Sequence, residues 1–210
     1  MNLRVASLLP LSLSTLALAS QTTRLPDPQR LLAATVSGAP IGMKETARSS
    51  HLSPIRYTSH FIKRIVKDPR SLDANAVLCD TSWSFPSPRY QIPGHLQLMW
   101  GVYDTVESAK FAALSKTWGP KALPPASSFL SGSFSGGPVG FQSWHTMTDS
   151  YATIVAQQDQ IVVQLVVRGA SNPGGRGGIF EPLTDKQLKL LEAIAKQTIA
   201  KTEGFLRQKH

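Results

Sequence analysis

The chain reads as an α+β domain. The expected form has two layers, a mostly antiparallel sheet of about four strands with helices on one face, in the order β-α-β-β-β-α. Three observations predict it. Leu96, Leu98, Trp100 and Val102 alternate with Gln97, Met99, Gly101 and Tyr103, the period-two pattern of a strand with one apolar face. Three more strand-like runs lie between 141 and 168, separated by loops too short for anything but an antiparallel meander. An amphipathic helix then closes the chain.

The first residues read as an export signal. Arg4 is the only charge ahead of a largely apolar run from Val5, which ends on Ala17-Leu18-Ala19. A basic start, an apolar middle and small residues at alternate positions before the cut are what signal peptidase requires. Residues 1–19 are therefore expected to be removed, with cleavage after Ala19, leaving a secreted or periplasmic protein. The run is too short and too rich in Ser to serve as a membrane anchor. No Asn-x-Ser/Thr acceptor occurs, so N-glycosylation is not expected.

Residues 20–75 show little sustained periodicity and are punctuated by Pro26, Pro28, Pro40, Pro54 and Pro69. They read as a basic linker or loosely packed N-terminal segment, with short helices expected over 29–36 and 59–67. The patterned domain is expected to run from 76 to 210. Its elements begin with a short buried strand at 76–79, followed by the strand around 96–103. Asp104 or Thr105 then caps a helix over 105–118, which Gly119-Pro120 stops. Residues 119–140 are rich in Pro, Gly and Ser and read as a flexible loop. Strands follow over 141–147, 151–157 and Ile161–Arg168. A Gly-rich connector, 169–178, leads to the last helix. There Thr184 and Gln187 have the spacing of a capping box, and Leu188, Leu191, Ala195, Ile199 and Leu206 form the apolar stripe. Gly204 is positioned to end that helix.

The residue types that carry chemistry are sparse. The single cysteine, Cys79, excludes an intramolecular disulfide framework and reads as a small buried residue. None of the five histidines stands three or four residues from another, so no metal site and no cofactor is expected. The run Gly132-Ser133-Phe134-Ser135-Gly136 has Phe where a hydrolase nucleophile elbow needs Ser. The connector Gly174-Gly175-Arg176-Gly177-Gly178 matches neither a P-loop nor a dinucleotide fingerprint. Catalytic residues are therefore not assigned.

The formal net charge is +9. Residues 20–89 carry ten Lys or Arg against five Asp or Glu, whereas 90–210 carry eleven against eight. The basic excess thus sits disproportionately in the less patterned part. Export and the absence of a recognisable module argue against a nucleic-acid partner. One surface grouping is site-like. Gln164 and Arg168 fall on the strand face opposite the expected core, and if Trp144 rather than His145 shares that face, the three could meet a ligand or partner.

Together these features predict an exported, non-catalytic domain that binds a small ligand or an envelope protein. Two alternatives stand beside it. One is a secreted hydrolase with a dispersed active site. The other is a structural envelope protein held electrostatically to anionic lipid or wall polymer through its basic N-terminal segment.

Overall fold

The structure is a computed structural model that describes residues 24–36, 38–57, 72–118, 130–132, 142–148, 151–172 and 184–208. The signal-like segment 1–19 and the expected helix at 59–67 lie outside the described residues. So do most of the loop 119–140 and residues 173–178 of the Gly-rich connector.

In chain order the elements are helix α1 (Pro28–Thr35) and strands β1 (Lys44–Tyr57), β2 (Leu72–Ser87) and β3 (Tyr90–Tyr103). Helix α2 (Val106–Trp118) follows, then β4 (Leu130–Gly132), β5 (Gln142–Thr148), β6 (Tyr151–Gln158) and β7 (Ile161–Arg168). Helix α3 (Asp185–Arg207) is last. The strands form one antiparallel sheet of seven in the order β1-β2-β3-β7-β6-β5-β4. Five of them, β1, β2, β3, β6 and β7, have described side chains. The fold is α+β, as the sequence predicts, with more strands than the expected four or so.

Residues 24–36 and 38–57, expected within a linker or loosely packed segment, carry α1 and β1. Asp27 caps α1 by accepting the Arg30 N–H at 2.9 Å, and Pro28 opens the helix where its missing N–H costs nothing. Leu31 and Leu32 then enter the main core. The Trp100 indole N–H donates to Thr35 Oγ1 at 3.0 Å, and Thr35 in turn donates to the Leu31 carbonyl. β1 pairs with β2 from Lys44↔Ser84 to Tyr57↔Leu72. This strand hides from a periodicity search because it is the sheet edge. Edge strands carry charges and proline to discourage further pairing, and β1 has Lys44, Glu45, Arg48, Pro54 and Arg56.

The main core fills one face of the sheet. Leu96, Leu98, Trp100 and Val102 of β3 are at most 2% exposed, and β7 adds Ile161, Val163, Leu165 and Val167. Both α1 and α3 cover this face, α3 through Leu191, Ile194, Ala195 and Ile199. The capping box of α3 is present: Thr184 accepts from the Gln187 N–H and Gln187 accepts from the Thr184 N–H. Gly204 does not end the helix. It stays within α3, which continues to Arg207.

The helices are not all on one face. α2 lies on the opposite side, where Ala109, Phe111, Ala112 and Ala113 pack with Tyr103, Val155 and Val162. The cause is strand parity. β3 ends on Tyr103, whose side chain points away from the Leu96–Val102 stripe, and the chain turns over that side. Asp104 fixes the turn by accepting from the Asn75 N–H at 2.7 Å and the Ser108 hydroxyl at 3.0 Å. Thr105 is the cap, accepting the Ser108 N–H at 3.1 Å. The small alanines let α2 sit close to the sheet over the end of β3 and the start of β7.

Candidate functional site

Cross-strand partners in a sheet share a face, so the register lays out the α2 side row by row. The first row beyond Tyr103 holds His51, Leu78, Gly101 and Val162. The next holds Ser49, Asp80, Met99, Gln164 and Val155. Farther from α2 come Ser82, Gln97, Val166 and Thr153, then Ser84, His95 and Arg168. Among the described residues α2 is the one element on this face, and it reaches only the first rows. Asp80, Gln97, Met99, Gln164 and Val166 are half-exposed, and His95 and Arg168 are exposed, while Ser82 and Thr153 are buried.

The structure places Gln164 and Arg168 on this face, four residues apart on β7. Gln164 is paired with Met99 and Val155, and Arg168 with His95 and Tyr151. The backbone of Trp144 pairs with Val155 in β5. The Trp144 side chain lies outside the described residues.

A concave site opens between these rows. It is a cleft of about 170 Å³ whose walls include Leu78, Met99, Tyr103 and Val162, with His51 and Asp80 contributing the polar groups. Gly101 forms part of its floor. Leu78 and Tyr103 lean over the glycine: a Cβ there would stand 2.7 Å from Leu78 Cδ2, 3.1 Å from the Val77 carbonyl oxygen and 3.4 Å from Tyr103 Cε2. The cleft therefore depends on a missing side chain in the row from His51 to Val162. On its polar side, the Gln97 side-chain amide donates to Asp80 Oδ2 at 2.6 Å.

Sequence reasoning passed over His51, Leu78, Asp80, Met99 and Gly101 as site residues. One signal was legible. Gly101 interrupts the sequence Gln97, Met99, Tyr103 on the less apolar face of β3, and glycine inside a strand often marks close approach by another group. His51 and Asp80 gave none, because their nearness depends on the β1–β2 register.

Cys79 borders the cleft, but its side chain is directed to the main core and is 2% exposed. Burial raises the thiol from 9.0 to about 12. The native protein thus keeps this proton over a range where the unfolded chain releases it. The stability gained is complete below pH 9.0 and fades as pH rises towards 12. At neutral pH a thiol-specific reagent should label the native protein slowly and the denatured protein rapidly. The alkaline loss of stability should also be shallower in Cys79→Ala, measured by urea melts between pH 8 and 11.

Among the described residues, no three His, Cys, Asp or Glu side chains converge as metal ligands. No helix among them is long and apolar enough to cross a membrane. The molecule defines itself as an α+β domain built on one antiparallel sheet, with a small cleft on the face that α2 covers in part. No family model matches the chain, and no curated protein or solved structure matches it.

Proposed function

We propose that this chain is an exported, non-catalytic domain that binds a ligand or protein partner in the cell envelope through the sheet face beyond α2. The carrying observation is the mixture presented there. An apolar cleft adjoins half-exposed Asp80, Gln97, Met99 and Gln164 and exposed Arg168, all on rigid strands rather than on loops. Few convergent polar groups around an apolar depression are what small-molecule and peptide sites share. Export rests on the pattern of Arg4, the apolar run and Ala17-Leu18-Ala19.

Asp80 and His95 on this face do not make a catalytic pair. Asp80 and His95 stand opposite Met99 and Ser84, four residues apart along β3, which is about 13 Å of strand. Asp80 is also engaged by Gln97. A nucleophile and its base need hydrogen-bond reach instead.

A photo-crosslinking amino acid tests the reading in the native envelope. Introduced at Gln164, it should give a discrete adduct that the same group at exposed Gln197 on α3 does not. Equal labelling at the two positions, or none at 164, would count against the sheet face as the working surface.

A further inference from the structure

We propose that the cleft beside Gly101 binds a small organic amine: an apolar group about the size of one aromatic ring, with its protonated nitrogen against the Asp80 carboxylate. The inference deepens the binding function proposed above and rests on it.

Size sets the apolar part. The cleft measures about 170 Å³, and an engineered apolar cavity of about 150 Å³ in another protein accommodates benzene. A single ring or a short branched chain therefore fits, whereas a fused polycycle or a folded peptide side would not enter. The walls suit it: Leu78, Val162 and Tyr103 are hydrocarbon or ring surface, and Met99 is a flexible thioether able to adjust to shape.

Charge sets the polar part. Asp80 is the one carboxylate among the described residues lining the cleft, where the His51 imidazole also stands. Gln97 occupies Oδ2 of the carboxylate, and no second partner appears among the described residues. Oδ1 can accept an ammonium N–H, and hydrogen bonds to ionised groups are the stronger kind. The overall charge of +9 opposes this only weakly. Charges separated by more than about 8 Å are largely screened in physiological salt. Arg168 stands four residues from Gln164, the Asp80 row, along β7, roughly 13 Å away. An acid of the same size would instead meet the carboxylate as a like charge.

Calorimetry on the full chain with three matched probes tests the proposal: phenethylamine, 2-phenylethanol and 3-phenylpropionate. Phenethylamine should bind about tenfold more tightly than the alcohol, the increment of one charge-assisted hydrogen bond, and the acid should bind least. Asp80→Asn keeps an acceptor for Gln97 but removes the charge, so it should erase the amine's advantage and leave the alcohol unchanged. Gly101→Val should abolish binding of all three. Met99→Trp, at a half-exposed position, should do the same without stressing the strand.

Equal affinity of amine and acid, an unchanged amine affinity in Asp80→Asn, or no binding by any probe would overturn the amine inference. The crosslinking contrast between Gln164 and Gln197 reads the broader binding surface separately. A chain that rejects all three probes yet crosslinks at 164 would lose only the amine assignment.

Discussion

Trp100→Ala should destabilise the protein by about 3–5 kcal/mol, the cost of truncating a large buried aromatic. Trp100 is 2% exposed and lies at the centre of the main core. Its indole N–H is also the hydrogen-bond link between the sheet and α1, through Thr35. The loss should therefore be felt in α1 more than in α2, which sits on the other face. Urea denaturation measures the total. Amide exchange measures the distribution: α1 should lose protection while α2 keeps its own relative to the global value. Trp100→Phe keeps most of the volume and should cost only about 1 kcal/mol, that of one net hydrogen bond. Trp83→Phe makes a useful comparison. Trp83 is 1% exposed, but its Nε1 has no hydrogen-bond partner among the described residues, so the smaller ring also removes an unsatisfied donor. It should be better tolerated than Trp100→Phe. If Trp100→Ala proved nearly neutral, α1 would not be part of the core.

Gly101→Val should both fill the cleft and cost about 1–3 kcal/mol through overpacking. The new Cβ would stand 2.7 Å from Leu78 Cδ2, which can swing away, and 3.1 Å from the Val77 carbonyl oxygen, which is fixed by the β2 backbone. The extra methyl groups of valine then compete with Leu78 and Tyr103 for the same volume. The better strand propensity of valine offsets part of the strain. Stability by urea melt and probe affinity by calorimetry should therefore fall together. Gly101→Ala should lie between, with a smaller stability loss and weakened binding. A Gly101→Val protein that is more stable than the wild type and still binds would mean that the cleft does not depend on this glycine.

Several elements were readable from residues alone because the information is local. The β3 alternation, the β6–β7 meander and the Thr184–Gln187 capping box each rest on neighbours a few positions apart, and each is present. β1 was not readable. A polar edge strand has no stripe to bury, and only its partner β2 reveals it. The placement of α2 was missed for a related reason. Apart from Phe111, its described contacts are made by Ala109, Ala112 and Ala113, and alanine weighs little in an apolar pattern although it packs well. A clue lay in β7, where Ile161, Val162 and Val163 are all buried. A continuous apolar run indicates a strand covered on both faces.

The site was legible only in outline. Gln164 and Arg168 could be assigned to the face opposite the main core by counting parity along β7. The cleft could not, because His51, Asp80 and Gly101 belong to three strands that register alone brings together. Nor could the sequence show that Cys79, beside Asp80, belongs to the opposite face in all but its backbone.

The central claim is that the working surface is the sheet face beside α2 and not the helical layer formed by α1 and α3. Backbone amide shift mapping during a phenethylamine titration tests it most directly. The account predicts saturable shifts at Leu78, Asp80, Met99, Gly101 and Val162, with α1 and α3 unmoved. Shifts centred on α1 or α3 would contradict it, and shifts at no amide would remove the amine assignment.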